Sequence, residues 1–385
     1  MTYLDHNATS PLRPEARAAL ARALELDGNP SSVHGAGRAA RSAVETARAQ
    51  VARLVAARSQ DVVFTSGATE ANSAALWGAI YGALDAEARL TRLFVSAIEH
   101  VSVLAPAAAI AERIAGVRYA EIPVTADGVI DTEALRVMLR EGKGRTLIAA
   151  MAANNETGVV QPLAEIAALA KDAAALLLVD AVQSAGKLAT DFAAMDADYL
   201  TLSAHKIGGP QGAGALVVRD GAPLAAFIVG GGQERGRRGG TENVSGIAGF
   251  GAACEIVREL RDVPRQGALR DRFERELVGR WPETIVFGAN APRLSNTSNF
   301  ALPGITAETA LMALDLDGVM VSSGAACSSA RVRPSHVLKA MGVADEIARC
   351  ALRVSFGWNS SEQDVDAALA ALDRLVSRVR PRVMA

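Results

Sequence analysis

The chain has 385 residues, enough for two domains, and its 50% hydrophobic and 21% charged residues are typical of a soluble globular enzyme. The formal net charge is -2 and no long basic block occurs, so nothing favours nucleic acid as a partner. No apolar run is long enough to cross a membrane, and no signal pattern opens the chain. We therefore expect a cytoplasmic protein with no membrane association.

Three cysteines, Cys254, Cys327 and Cys350, are spread over the second half of the chain. Their spacing does not match that of structural zinc ligands, and a cytoplasmic protein rarely forms disulfides. A single reactive thiol is the remaining option.

The predicted elements begin with an extended arm, residues 1–14, followed by helices at 15–26 and 37–57. From residue 61 to residue 218, strands alternate with turns and helices. Strands are expected at 62–64, 93–96, 117–124, 146–151, 176–180, 198–202 and 213–218. This alternation predicts a doubly wound, mostly parallel sheet, in which ligands bind beyond the carboxyl ends of the strands.

Polar residues follow several of these strands. Residues 65–72 form a hydroxyl-rich turn at the start of a helix, where free N–H groups favour an anion, although simple N-capping explains the turn equally well. His100 and residues 154–158 lie beyond two further strands. Each of these segments alone is a weak signal.

Lys206 gives the region its strongest chemical signal. It follows Ser203 and His205 in a glycine-rich loop, and a lysine with a lowered pKa reacts with carbonyl compounds. A surface lysine in a flexible turn is the alternative. Asp180, at the end of the preceding buried strand, is either a turn residue or a ligand. Together the two suit pyridoxal phosphate, with Lys206 forming the Schiff base and Asp180 holding the pyridine nitrogen protonated.

The last third of the chain lacks the regular strand–helix alternation of the preceding part. Short strands are predicted at 285–287, 298–301, 319–322 and 352–356, and helices at 307–316, 334–341 and 362–379. Before it, the glycine–arginine segment 229–243 is either an anion-contacting loop or a solvated one, and a long helical region then extends to about residue 280. We expect a large domain of residues 15–260 and a small α+β domain of residues 1–14 and 261–385. Cys327 lies among small residues, as a buried filler or a mobile nucleophile, and we favour the mobile thiol.

Taken together, the order and spacing of these segments resemble NifS/IscS-type cysteine desulfurases. These enzymes belong to the class V aminotransferase family of fold-type I pyridoxal phosphate enzymes. The matching segments are Leu4 to Thr9, Gly67 to Glu70, Glu99 and His100, Asn154 to Gly158, Asp180 to Ser184, Ser203 to Lys206, Gly231 to Thr241, and Ser322 to Cys327. The resemblance implies an α/β, fold-type I transferase whose large domain contains a mostly parallel seven-stranded sheet.

The resemblance also implies catalytic roles. Lys206 holds the cofactor and moves protons, His100 stacks on its ring, and Cys327 attacks the substrate sulfur as a thiolate. Arg353 and Asn155 bind the substrate carboxylate. The residues expected to bind pyridoxal 5'-phosphate are Ala68, Thr69, Asn155, Asp180, Gln183, Ser203, His205, Lys206 and Thr241.

The implied reaction converts L-cysteine to L-alanine and a persulfide on Cys327, which passes sulfur to an acceptor such as an iron–sulfur scaffold or a sulfur carrier. Because Thr241 resembles a residue that reaches the neighbouring subunit, a homodimer is expected. Another class V enzyme, such as a selenocysteine lyase, a kynureninase-like hydrolase or an aminotransferase, is the alternative, and a non-catalytic sulfur-relay subunit is a second. The chain ends without the longer tail of the housekeeping members, which leaves the acceptor open.

Overall fold

The computed structural model of the protein describes residues 1–83, 89–323 and 335–379. The strands of this part of the chain are β1 (Thr2–Tyr3), β2 (Val62–Thr65), β3 (Leu90–Ser96), β4 (Arg118–Ile122), β5 (Arg145–Met151), β6 (Leu176–Asp180), β7 (Tyr199–Ser203), β8 (Gly214–Val218), β9 (Ile285–Val286), β10 (Thr297–Ala301), β11 (Val319–Met320) and β12 (Ala351–Ser355). The helices are α1 (Pro14–Leu24), α2 (Gly35–Leu54), α3 (Ala68–Gly82), α4 (Val101–Arg113), α5 (Thr132–Arg140), α6 (Leu163–Asp172), α7 (Val244–Val257), α8 (Val263–Arg280), α9 (Ala307–Leu316), α10 (His336–Ala340), α11 (Asp345–Ala348) and α12 (Glu362–Val379).

The main sheet has seven strands in the order β2-β8-β7-β6-β5-β3-β4. Strands β3 to β7 are parallel, and β8 runs antiparallel to both of its neighbours, β2 and β7. The central strands β5 to β8 are almost entirely buried, as their continuous apolar sequences require when helices cover both faces of the sheet. The predicted mostly parallel α/β sheet is confirmed.

Two predictions about the second half of the chain need correction. One long helical region was expected after residue 243, but the structure has two helices, α7 and α8. The chain turns between them at Leu260, whose φ of 54° is left-handed and does not occur within a right-handed helix. The short helix α11 was not predicted. Helices α9 and α12 have the predicted bounds.

A smaller antiparallel sheet has the order β12-β10-β9, and β1 pairs in parallel with β11. This pairing brings the N-terminal arm into the C-terminal part of the protein, where Leu4 packs in one hydrophobic cluster with Phe273, Phe300 and Phe356. A separate cluster, made of residues between Ala16 and Val257, covers one face of the main sheet. The division into domains at residues 14 and 260 stays a prediction.

The glycine–arginine segment forms a strained turn rather than an open loop. Glu234 and Arg235 both adopt left-handed conformations, with φ of 48° and 59°. Arg48 donates to both carboxylate oxygens of Glu234, at 2.6 and 2.8 Å, and the Phe64 N–H donates to the same group at 2.9 Å. Strain of this kind persists only where surrounding contacts determine the conformation, which these buried bonds do.

The buried Arg48–Glu234 pair leads to a stability prediction. Arg48→Met leaves the Glu234 carboxylate buried without its partner, and we expect it to lower the free energy of unfolding by about 3–5 kcal/mol. The double variant Arg48→Met/Glu234→Met removes the stranded charge and should recover most of that loss. Urea unfolding measures both, and a single variant as stable as the parent would contradict the proposed anchoring.

Candidate active site

A cavity of 680 Å³ lies beyond the carboxyl ends of β3, β5, β6 and β7, within the size range of small-molecule sites. Ten of the predicted site residues line it together: Ala68, Thr69, His100, Asn155, Asp180, Gln183, Ser203, His205, Lys206 and Arg353. The parallel order of the strands explains this convergence, because their carboxyl ends meet at one edge of the sheet.

Lys206 lies in a short turn directly after β7 and faces the N-terminal arm. Its Nζ donates to the main-chain oxygens of Asn7 at 2.6 Å and Ala8 at 2.9 Å. Burial, and after it the charge of Arg353, lowers the pKa of Lys206 to about 8. A sizeable fraction of the amine is therefore unprotonated near neutral pH, as nucleophilic attack on a carbonyl requires.

Asp180 is tied to His100 by a chain of buried hydrogen bonds. Asn72 donates through Nδ2 to Asp180 Oδ2 and to Ser102 Oγ, both at 3.0 Å. The Ser102 hydroxyl lies 2.8 Å from His100 Nδ1, and the Val182 N–H donates to Asp180 Oδ1 at 2.9 Å. The carboxylate and the imidazole are thus held in fixed positions in the same cavity.

His100 caps the N-terminus of α4, where its Nδ1 accepts from the Ser102 N–H. Because Nδ1 is an acceptor, the proton of the neutral ring is on Nε2. Burial lowers the pKa of His100 below its usual value, although the charge of Asp180 opposes this. The ring is therefore mostly uncharged at neutral pH, when it can exchange a proton or stack on a flat ligand.

The N-terminus of α3 also lines the cavity. In the part of the chain that the structure describes, no side chain caps this helix, whose N-cap is Gly67, so the N–H groups of Ala68 and Thr69 are suited to an anion. A Cβ at Gly214 would lie 2.7 Å from the Gly67 main chain, so glycine is required where β8 passes this turn.

His205 lines the cavity as well. Its Nδ1 is 2.8 Å from Thr9 Oγ1. Burial, with a smaller contribution from the charge of Lys206, lowers its pKa to about 4. The uncharged ring therefore contributes a hydrogen bond to an anion rather than a charge.

Arg353, on β12, is almost fully buried at the edge of the cavity. Its Nη1 donates to the Asn155 main-chain oxygen at 3.0 Å, and its Nη2 donates to Asp5 Oδ1 at 2.6 Å. Asp5 and Arg353 both line the cavity, and their ion pair shows the geometry in which this guanidinium binds a carboxylate.

Four residues that contact the site have no role predicted from the sequence: Asp5, Asn7, Asn72 and Lys187. Asn7, 1% exposed, joins the two parts of the protein through bonds to Thr297 Oγ1 at 2.8 Å and Ser355 Oγ at 3.0 Å. The polar residues between Asp5 and Ser10 in the N-terminal arm could have indicated that the arm belongs to the site, because a solvated arm does not need so many hydrogen-bonding side chains. An asparagine among the small residues of α3 was another, because asparagine is a poor helix former.

Two predicted site residues do not join this group. Thr241 is exposed and does not line the cavity. Cys327 lies outside the described residues. The other two cysteines are buried, and burial raises the pKa of Cys254 well above its usual value.

A family model described as aminotransferase class V matches residues 2–368. The chain belongs to the class V aminotransferase family. The relatives of this class V enzyme include a protein named cysteine desulfurase IscS from Dictyoglomus turgidum, 39% identical over 98% of this chain and 95% of the relative. A cysteine desulfurase from Cereibacter sphaeroides is 42% identical over 98% of this chain and 96% of its own length.

Solved structures agree with this family assignment. A NifS-like protein from Rickettsia africae has a TM-score of 0.87 and 32% identity, and covers 98% of this chain and 99% of its own. A second NifS-like protein has a TM-score of 0.90 and 33% identity, over 98% of this chain and all of its own. The fold-type I architecture predicted from the sequence is therefore confirmed.

Class V enzymes use pyridoxal phosphate, and the groups in the cavity suit it. The uncapped N–H groups of α3 fit a phosphate, the Lys206 amine fits an aldehyde, and Asp180, already held by two donors, has lone pairs left for a pyridinium N–H. Among the described residues that line the cavity, no group conflicts with this assignment.

Proposed function

We propose that this class V enzyme is a cysteine desulfurase, which takes sulfur from L-cysteine, releases L-alanine and carries the sulfur as a persulfide on Cys327. The observation that carries the proposal is a single cavity that combines Lys206, Asp180 and Arg353 in a chain similar over its whole length to cysteine desulfurases. An aminotransferase is the alternative, but it needs no thiol.

When bound, pyridoxal phosphate withdraws electrons from the Cα of an amino acid. In this proposal Lys206 binds the cofactor and, as a free amine, takes the Cα proton, while Asp180 holds the pyridine nitrogen and Gln183 contacts the ring oxygen. Ala68, Thr69, Ser203 and His205 hold the phosphate. His100 stacks on the ring and exchanges protons through its ring nitrogen.

Sulfur transfer then forms the S–S bond of the Cys327 persulfide and breaks the C–S bond of the substrate. The thiolate of Cys327 is the attacking species. The electron pair left on the substrate carbon takes a proton, and L-alanine results.

Product analysis tests this function directly. The purified protein, supplied with pyridoxal phosphate, L-cysteine and a reductant, should release sulfide and L-alanine in equal amounts. In a parallel reaction that also contains an added 2-oxo acid, conversion of that acid to its amino acid together with formation of the 2-oxo acid of cysteine, and no sulfide, would instead identify an aminotransferase. L-selenocysteine in place of L-cysteine tests for a lyase.

Arg353→Gln tests the proposed carboxylate site. Because hydrogen bonds to charged groups contribute about 1.5–3 kcal/mol, we expect the KM for L-cysteine to rise by about 10- to 150-fold. The visible absorbance of the bound cofactor should be retained, since Arg353 is not among its proposed ligands. Arg349→Gln, at an exposed position on the preceding turn, is the control and should leave KM unchanged. An unaltered KM in Arg353→Gln would exclude this role.

We propose further that the protein is a homodimer in which Thr241 completes the partner's site. The anchored turn at Glu234 and the exposure of Thr241 support this, because the loop is held firmly while Thr241 stays available. Lys206→Ala and Thr241→Arg, each inactive alone, should regain part of the activity when their subunits are exchanged, because one site of the mixed dimer has neither change. Mixtures that stay inactive after subunit exchange would contradict a shared site.

The sulfur acceptor and a cytoplasmic location remain predictions. An iron–sulfur scaffold or a sulfur carrier is the expected partner, and capture of the acceptor after labelling the enzyme with radioactive sulfur would identify it.

Within residues 1–83, 89–323 and 335–379, no helix combines the length and the apolar character that crossing a bilayer requires.

A further inference from the structure

Lys187 is a buried lysine beside the active site that does not line its main cavity. It follows Gly186, where φ is +72° and a Cβ would lie 2.7 Å from Val257, so the turn into Lys187 favours glycine. The Lys187 Nζ donates to Gln183 Oε1 at 2.9 Å and to Asn7 Oδ1 at 3.1 Å. Both of these acceptors are neutral amide oxygens.

The Lys187 amine is costly to bury. Burial, and after it the charges of Lys206 and Arg353, lowers its pKa to about 7, and no carboxylate of the described residues forms an ion pair with it. An apolar side chain of similar volume would avoid this cost, because a buried charge without an ion-pair partner loses its hydration without compensation. Unlike an apolar residue of similar volume such as methionine, lysine can donate hydrogen bonds at this position.

Those hydrogen bonds fix the orientation of the Gln183 amide. The amide has an acceptor end and a donor end, and Lys187 donates to the acceptor end, Oε1. Gln183 Nε2 therefore donates to the Asn7 main-chain oxygen at 2.9 Å and keeps a second N–H. A flipped amide would place its oxygen against the Asn7 oxygen, two acceptors in contact, and its NH₂ against the Lys187 donors.

The same arrangement includes Lys206. The Asn7 main-chain oxygen accepts from Lys206 Nζ at 2.6 Å as well as from Gln183. Lys187 holds Asn7 from the other side, through the Asn7 side chain. Lys187 and Lys206 also line one small cavity of 20 Å³ behind the main one. Lys187 thus contacts two residues, Asn7 and Gln183, that themselves line the main cavity.

We propose that Lys187 is a positioning residue that holds the Gln183 amide with an N–H group available to the cofactor's ring oxygen. The proposal rests on the proposed function, because Gln183 meets this oxygen only if the cavity binds pyridoxal phosphate. It assigns Lys187 no contact with the substrate or the cofactor.

A double-mutant cycle on the cofactor-loaded enzyme tests this role. We expect Lys187→Met to raise the pH midpoint of the visible absorbance of the bound cofactor by on the order of one pH unit, because a donor to the ring oxygen stabilises its anionic form. The dissociation constant of pyridoxal phosphate should rise about tenfold. In a Gln183→Met background, Lys187→Met should add no further shift. Lys171→Met, the same substitution at an exposed lysine, is the matched control.

The outcomes separate this proposal from the proposed function. An unchanged midpoint in Lys187→Met, or the same shift with and without Gln183, overturns the positioning role alone. A parent protein without visible absorbance in the presence of pyridoxal phosphate overturns the proposed function and this proposal with it. If Lys187→Met does not fold by circular dichroism, Lys187→Gln, which keeps an N–H donor, should fold and shift the midpoint less than Gln183→Met does; an equal or larger shift overturns the role.

Discussion

Replacement of Lys206 by alanine is expected to abolish the release of L-alanine and the visible absorbance of the bound cofactor. Among the lysines that the structure describes, Lys206 alone lines the cavity. Lys187 lies close by, but its amine is occupied by Asn7 and Gln183. Because no other amine is placed to replace it, turnover should fall at least about a thousandfold.

The measurement is alanine release together with the absorbance spectrum, with Lys171→Ala as a control that should resemble the parent. The unloaded parent protein provides a second readout. With a pKa of about 8, Lys206 should react with an amine-specific reagent increasingly as the pH rises through 8, whereas exposed lysines react mainly at higher pH. Mass spectrometry locates the modified residue. Alanine release by Lys206→Ala at the parent rate would refute the assignment.

The sequence predicted the centre of the site because local patterns decide it. A buried strand ending in Asp180 and a second strand leading to Lys206 are both apparent from short stretches of the chain. Once both strands belong to one parallel sheet, their carboxyl ends must lie at the same edge. The parallel sheet therefore brings Asp180 and Lys206 to the same edge.

The long-range hydrogen bonds that hold the site's side chains in position could not be predicted in the same way. Asn72 reaches Asp180 from 108 positions earlier in the chain, and Arg353 reaches Asp5 across 348 positions. Such contacts depend on how the helices and the arm pack, which no local periodicity encodes. The lowered pKa of Lys206 belongs to the same class, because it comes from burial and from the distant Arg353.

The β1–β11 pairing illustrates the same limit. Two-residue strands are too short to be recognised from alternation, yet this pairing carries Asn7 to Lys206. The arm's extended form and its grouping with the C-terminal third are predictable from the sequence, whereas its contacts depend on the folded structure. The burial of Lys187, seven residues beyond Asp180, is not predictable from the sequence, because nothing in its neighbours indicates it.

Substitution of Cys327 is expected to separate cofactor binding from sulfur transfer. Cys327→Ser should keep the visible absorbance and the spectral change on adding L-cysteine, because the proposed cofactor ligands are all elsewhere. Sulfide release should fall at least about a hundredfold, since an alcohol does not replace the thiolate as the attacking group.

The other two cysteines provide the matched controls. Cys254 is fully buried in α7, and burial raises its pKa well above the usual value, so it does not supply a thiolate. Cys350 is buried as well, and its Sγ donates to the Glu346 main-chain oxygen. Cys254→Ala and Cys350→Ala should therefore keep most of the activity. Persulfide mapping by mass spectrometry after one turnover decides the matter: a persulfide on Cys254 or Cys350, or parent-level turnover by Cys327→Ser, would exclude Cys327 as the sulfur carrier.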